Sequence, residues 1–214
     1  ELLSKKGLFI FEEPYMGAMF EKVSYDQIYD EHIFMFSIHS VKKIFQLYNF
    51  DLIDVLPQTT HGGSMRYIIK RNHGQKISQR LKKILSSEKK ANVDNFKGCL
   101  EFKYKVEKSK KKLLSKIYKI KRRNQKICGY GATSKSTTIL NYCKINNKLI
   151  DCIYDTTPDK IGKFSPGMHI PIMDYKLFKK GNYKNIFLFA WNHKKEILKK
   201  EKHLKKVKWF SHLN

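Results

Sequence analysis

From Lys126 onward the chain alternates short apolar runs with helical stretches. "KICGYG" (126–131) leads into "TSKSTTILNYCKI" (133–145), then "LIDCIYD" (149–155), a loop "TTPDKIGKFSPGMHIP" (156–171), "NIFLFAW" (185–191) and "HKKEILKKEKHL" (193–204). The apolar runs are too short for buried helices and are rich in Ile, Tyr and Phe, so they read as strands. Strand and helix in alternation leave few solutions. Parallel neighbours need a crossover that returns the chain to the starting edge of the sheet, and a helix is the usual crossover.

The expectation for 126–214 is therefore a small, doubly wound, Rossmann-like domain with a parallel sheet. Upstream, "GLFIFEEP" (7–14) has the composition of a buried strand of an α/β sheet, stopped by an acidic pair and Pro14. "SVKKIFQLYNF" sets Val41, Ile44, Phe45 and Tyr48 at helical spacing, "DLIDVLPQ" (51–58) alternates as a strand, and another short strand is expected after "THGGSMRYIIKR" (60–71). Residues 1–75 thus look like the last strands and helices of an α/β domain, and the opening "ELLSKK", without Met, fits a chain whose earlier part is missing. From Ile77 to Arg123 the pattern is helical and dense in Lys, with Phe102, Val106, Leu113, Ile117 and Ile120 on one stripe. Residues 76–125 are expected to form a helical connector.

Charge narrows the partner less than its size implies. The 44 basic residues against 19 acidic ones give a net charge of +25, which raises nucleic acid or an anionic surface as a partner. Yet Arg occurs only at 66, 71, 80, 122 and 123, and Arg is the side chain that forks onto phosphate. Lys, Asn and Ile together fit an A/T-rich coding bias, so nucleic acid is not the expected partner. Cys99, Cys128, Cys143 and Cys152 form no C-x-x-C pair and no zinc spacing, and read as reduced thiols of a cytoplasmic protein with no metal site. No apolar run is long enough for a membrane span.

Three motifs carry chemistry. "SYDQIYDEHIFMFS" (24–37) sets Tyr29, Asp30, Glu31 and His32 against Ile33, Phe34, Met35 and Phe36, a mixture that costs desolvation unless each polar group is partnered or used. "CGYGATSKS" places Gly129 and Gly131 at a strand-to-helix turn with Lys135 in the first helical turn, and Asp155 ends the next strand. Such a turn lets a phosphate approach the backbone, with the acid reaching a ribose hydroxyl. Ser134 stands where a third glycine of the dinucleotide fingerprint would be, so a tight turn with Asp155 capping the loop stays equally open. "THGGSMR" adds His61 and Arg66 beside paired glycines, and Trp191 and Asn192 end a strand at the sheet's carboxyl edge.

"FEEPY" (11–15), "YDQIYDEHIFMFS" (25–37), "HGGSMR" (61–66), "GYGATSK" (129–135), "SPGMHIPI" (165–172) and "AWN" (190–192) occur in the order found in S-adenosylmethionine-dependent C-methyltransferases of nucleotide-activated deoxysugars. The chain resembles that family over essentially its whole length. The resemblance implies a zinc-binding N-terminal module, a central methyltransferase fold and a C-terminal Rossmann-like domain that helps hold the nucleotide sugar. This sequence corresponds to the end of the central domain plus the C-terminal one, without the cysteine cluster and without the glycine-rich S-adenosylmethionine loop. By resemblance His32 is the catalytic base, with Glu31 and Tyr29 beside it. His61, Arg66, Gly129, Gly131, Lys135 and Asp155 are then candidates for the sugar and nucleotide.

The chemistry agrees with the residue types. Methylating carbon needs a carbanion, which forms next to a 4-keto group when the developing enolate oxygen is stabilised. An imidazole, with an ordinary pKa of about 6.5, is basic and neutral near pH 7. Left open beside the enzyme are a non-catalytic nucleotide-sugar-binding fragment, half of a split enzyme partnered by a separate S-adenosylmethionine-binding chain, and a nicotinamide oxidoreductase resting only on "GYGATS".

Overall fold

The computed structural model describes residues 3–71, 74–204 and 206–213. They form two compact units: Glu1–Tyr25 with His32–Val106, and Asp26–Glu31 with Glu107–Asn214.

The first unit contains β1 (Leu8–Pro14), α1 (Met16–Lys22), α2 (Ile38–Gln46), β2 (Phe50–Gln58), β3 (Ser64–Arg71), α3 (Gln79–Lys90) and the start of α4 (Phe96–Lys121). Its sheet runs β1-β3-β2, with the central β3 antiparallel to both neighbours. Met65, Tyr67 and Ile69 alternate along β3 into a core completed by Leu52 and Val55 of β2, Ile38 and Val41 of α2 and Leu81 of α3. Each such side chain contributes about 1.5–3 kcal/mol on full burial.

Four expectations change here. Among the described residues β1 is an edge strand, not a buried one, because β3 is its one strand partner there, and Leu8, Phe9 and Ile10 stay about half exposed. The strand near "THGGSMRYIIKR" lies inside that stretch, not after it. Of the α2 stripe, Val41 is buried and Phe45 packs on the core, whereas Ile44 and Tyr48 face outward. The helical pattern of 77–123 is two helices, since Asn92 takes a left-handed φ of 54° and ends the first. α3 lies in the first unit, and the unit boundary falls in α4 between Val106 and Glu107.

The second unit holds β4 (Ile127–Tyr130), α5 (Ser134–Cys143), β5 (Cys152–Asp155), β6 (Ile172–Asp174), β7 (Asn185–Leu188), α6 (Lys194–Lys200) and β8 (Lys208–Phe210). The five strands are all parallel, in the order β6-β5-β4-β7-β8, which is the Rossmann-like arrangement expected. β6 and β8 escape sequence reading because three residues cannot display a period. The chain builds outward from β4 in one direction and then resumes at β7 on the other side. The carboxyl ends of β4 and β7 therefore mark the switch point, where open α/β sheets place their ligands.

Candidate active site

In the first unit the expected residues converge at the end of β1. Glu12 stands opposite Arg66 in the ladder, and its carboxylate accepts hydrogen bonds from Arg66 Nη2 at 2.9 Å and Thr60 Oγ1 at 2.5 Å. The Thr60 bond above all, with Arg66 and nearby His61, holds the Glu12 carboxyl below the usual range despite some burial. His61 lies in the turn Thr60–Gly62 with a left-handed φ of 51°, followed by Gly62 at 89° and Gly63 at 137°. Gly63 is required there, because a Cβ would come within 2.6 Å of the Ala18 Cβ. The turn sets the His61 ring against His32, with centroids 6.1 Å apart and planes at 80°.

His32 is half-buried and His61 exposed. The apolar run after His32 divides: Ile33 and Phe34 are 82% and 69% exposed, whereas Met35 packs on the cluster of Met19, Phe20 and Val93 and Phe36 packs edge-on against Phe11. Water exclusion by Ile33 and Phe34 is thus not a property of this unit. Glu12 is the residue that sequence reading missed. Its signal was an acid placed in a β-forming run, which needs a cross-strand cation to stay there.

Tyr29 and Glu31 belong to the second unit. The segment starts at Asp26, fully buried, whose carboxylate accepts a hydrogen bond from the Trp191 indole at 2.5 Å and meets His212 Nε2 at 3.2 Å. Two residues on, the Ile28 carbonyl accepts a hydrogen bond from Thr138 Oγ1 of α5 at 3.2 Å. Tyr29 is half-buried, and desolvation, then the charges of Glu31, Asp26 and Asp30, push its phenol pKa up. The phenol therefore keeps its proton at neutral pH and is a hydrogen-bond donor. Glu31 is exposed.

The glycine turn is closely packed at its first residue. Gly131 has φ 88°, and a Cβ on Gly129 would meet the Phe189 ring at 2.6 Å. Asp155 uses both oxygens on backbone, accepting from Ala132 N at 2.6 Å and Thr157 N at 2.8 Å. Burial pushes its pKa up, but the bonds from Thr157 and Ala132 outweigh this and keep it low. Lys135 is buried, with its ammonium 5.4 Å from the centre of the Trp191 ring; burial lowers its pKa and Asp26 opposes that shift. Asp155 thus holds the loop, and Lys135 packs over Trp191. Nearby, the α5 N-terminus borders a cavity of about 240 Å³ lined by Thr133, Ser134, Thr137, Lys163, Phe164 and Asp159.

A family model described as "C-methyltransferase C-terminal domain" matches residues 59–210. Over 202 residues the chain is 27% identical to the protein named C-methyltransferase NovU from Streptomyces niveus, covering 94% of this chain and 48% of that one. The chain spans about half the length of this curated relative.

Proposed function

The chain belongs to the C-methyltransferase C-terminal domain family, and from that membership we propose that it works in S-adenosylmethionine-dependent C-methylation of a nucleotide-linked 4-keto deoxysugar. The observation that carries this reading is the His32–His61 ring pair beside the ionised Glu12–Arg66 pair. His32 takes the proton from the carbon next to the keto group. Tyr29, held protonated, donates toward the developing enolate oxygen, and Glu31 precedes the base in the chain. His61 and Arg66 face the sugar or its phosphates. The left-handed Gly131 turn, the α5 N-terminus and Lys163 offer a seat for a phosphate of the nucleotide.

S-adenosylmethionine supplies the electrophilic methyl group. No residue of this chain is assigned to that cofactor. Zinc, implied by resemblance for an N-terminal module only, is likewise given no ligand here. No helix among the described residues is long and apolar enough to cross a membrane; with four free cysteines the chain fits a cytoplasmic setting. A second reading is a non-catalytic nucleotide-sugar-binding fragment, or a subunit of a split enzyme that acts with a separate S-adenosylmethionine-binding chain.

Calorimetric titration at moderate salt tests both readings. The 214-residue chain is expected to bind a nucleotide diphosphate sugar weakly, to lose that binding on Lys163→Ala, and not to bind S-adenosylmethionine. Cofactor binding by this chain would overturn the division of labour. Loss of the sugar nucleotide on Lys135→Ala with stability unchanged would return the phosphate role to Lys135.

A further inference from the structure

The buried cluster at the carboxyl edge of the second unit is not used by the chemistry above. Asp26 and His212, with side chains 1% exposed each, face one another at 3.2 Å, and Trp191 at the end of β7 donates to the same carboxylate. Placing a carboxylate and an imidazole in the interior carries a desolvation cost that a well-packed apolar pair would avoid, so such a cluster is weak evidence for stability as its purpose. What it does hold is specific. Asp26 lies in a single 3-10 turn, Tyr25–Gln27, and residues 28–31 have no regular secondary structure. Among their attachments are Asp26 itself and the Ile28 carbonyl bonded to Thr138. Tyr29 and Glu31 lie on that segment.

We propose that Asp26, gripped by Trp191 and His212, is a positioning residue through which the second unit seats the segment 26–31, which carries Tyr29 and Glu31. The second unit then has a part in proton transfer besides any part in binding nucleotide. This rests on the proposed methyltransferase function for its catalytic meaning, though not for the clamp.

The test has two arms. Hydrogen exchange on the 214-residue chain is expected to rise at least tenfold over 26–31 in Asp26→Asn and in Trp191→Phe, while β4 changes less than twofold. Asn keeps an acceptor for the indole but loses the charge that faces His212, so Asp26→Ala should loosen the segment further. Unchanged exchange over 26–31 overturns the clamp. Global loosening in both variants makes the cluster a folding element and equally overturns it. In the complete enzyme, Asp26→Asn is expected to lower kcat at least tenfold with the sugar-nucleotide KM within threefold, and to slow solvent-deuterium exchange at the acidic carbon in parallel. A raised KM with kcat intact, or a loosened segment with kcat intact, overturns the positioning role. If the unmodified enzyme transfers no methyl group, the proposed function has failed and the exchange arm alone decides the clamp.

Discussion

Glu12 and Arg66 face each other across the β1–β3 ladder and close a 2.9 Å ion pair beside Thr60. Both side chains are partly solvated, so the pair adds little to stability, about 0–1 kcal/mol. Its weight is electrostatic: it fixes a carboxylate and a guanidinium next to the turn that carries His61.

The Glu12 carboxyl is accordingly expected to titrate below the ordinary glutamate value of about 4.3. Because its folded-state pKa is depressed, its contribution to stability is present above that ordinary value and is lost as pH falls through the folded pKa. Carboxyl-carbon NMR titration checks this. Thr60→Ala and Arg66→Gln should each raise the midpoint, since the Thr60 hydrogen bond and the hydrogen bond and charge of Arg66 all lower it. A midpoint at or above 4.3 in the unmodified chain contradicts the site geometry.

In the complete enzyme His32→Ala should abolish methyl transfer and solvent-deuterium exchange at the acidic carbon together, each by about 10²–10⁴-fold, because both need the same proton removed. Exchange that survives while transfer is lost would assign the base elsewhere and leave His32 a positioning role.

Gly129→Ala should destabilise the second unit by about 1–3 kcal/mol through overpacking, because its Cβ would meet the Phe189 ring at 2.6 Å and Ile153 Cγ1 at 3.0 Å. Urea unfolding measures this. Loss of nucleotide affinity at unchanged stability would instead mean that the glycine faces ligand.

Thiol reactivity should follow burial. Cys99 is exposed, whereas Cys128, Cys143 and Cys152 are buried, and desolvation pushes the Cys128 and Cys152 thiols up. A chromogenic disulfide reagent should label Cys99 within seconds to minutes and the other three only on unfolding. Rapid labelling of Cys128 in the folded chain would show that β4 is not packed as described.

The parallel sheet of the second unit was legible because hydrophobic runs and helical spacing are local properties, set by the same few residues that fold into each element. β4, β5, β7 and α5 carry that signal; β6 and β8, at three residues each, cannot. Family resemblance was legible for the same reason, since "YDEH", "HGGSMR" and "GYGATSK" are short and ordered along the chain. What a polar side chain does once its element is placed was not legible. Asp155 serves a loop or a ribose according to which hydrogen-bond donors surround it, and here Ala132 and Thr157 take both oxygens. Lys135 sits in a helix turn that fits a phosphate site, yet its ammonium turns inward over Trp191. Asp26 gave no sign of its importance, because its indole partner lies 165 residues away. Local periodicity decides which backbone forms. A buried charge or hydrogen bond acquires its role only when tertiary closure supplies the distant group that offsets its desolvation.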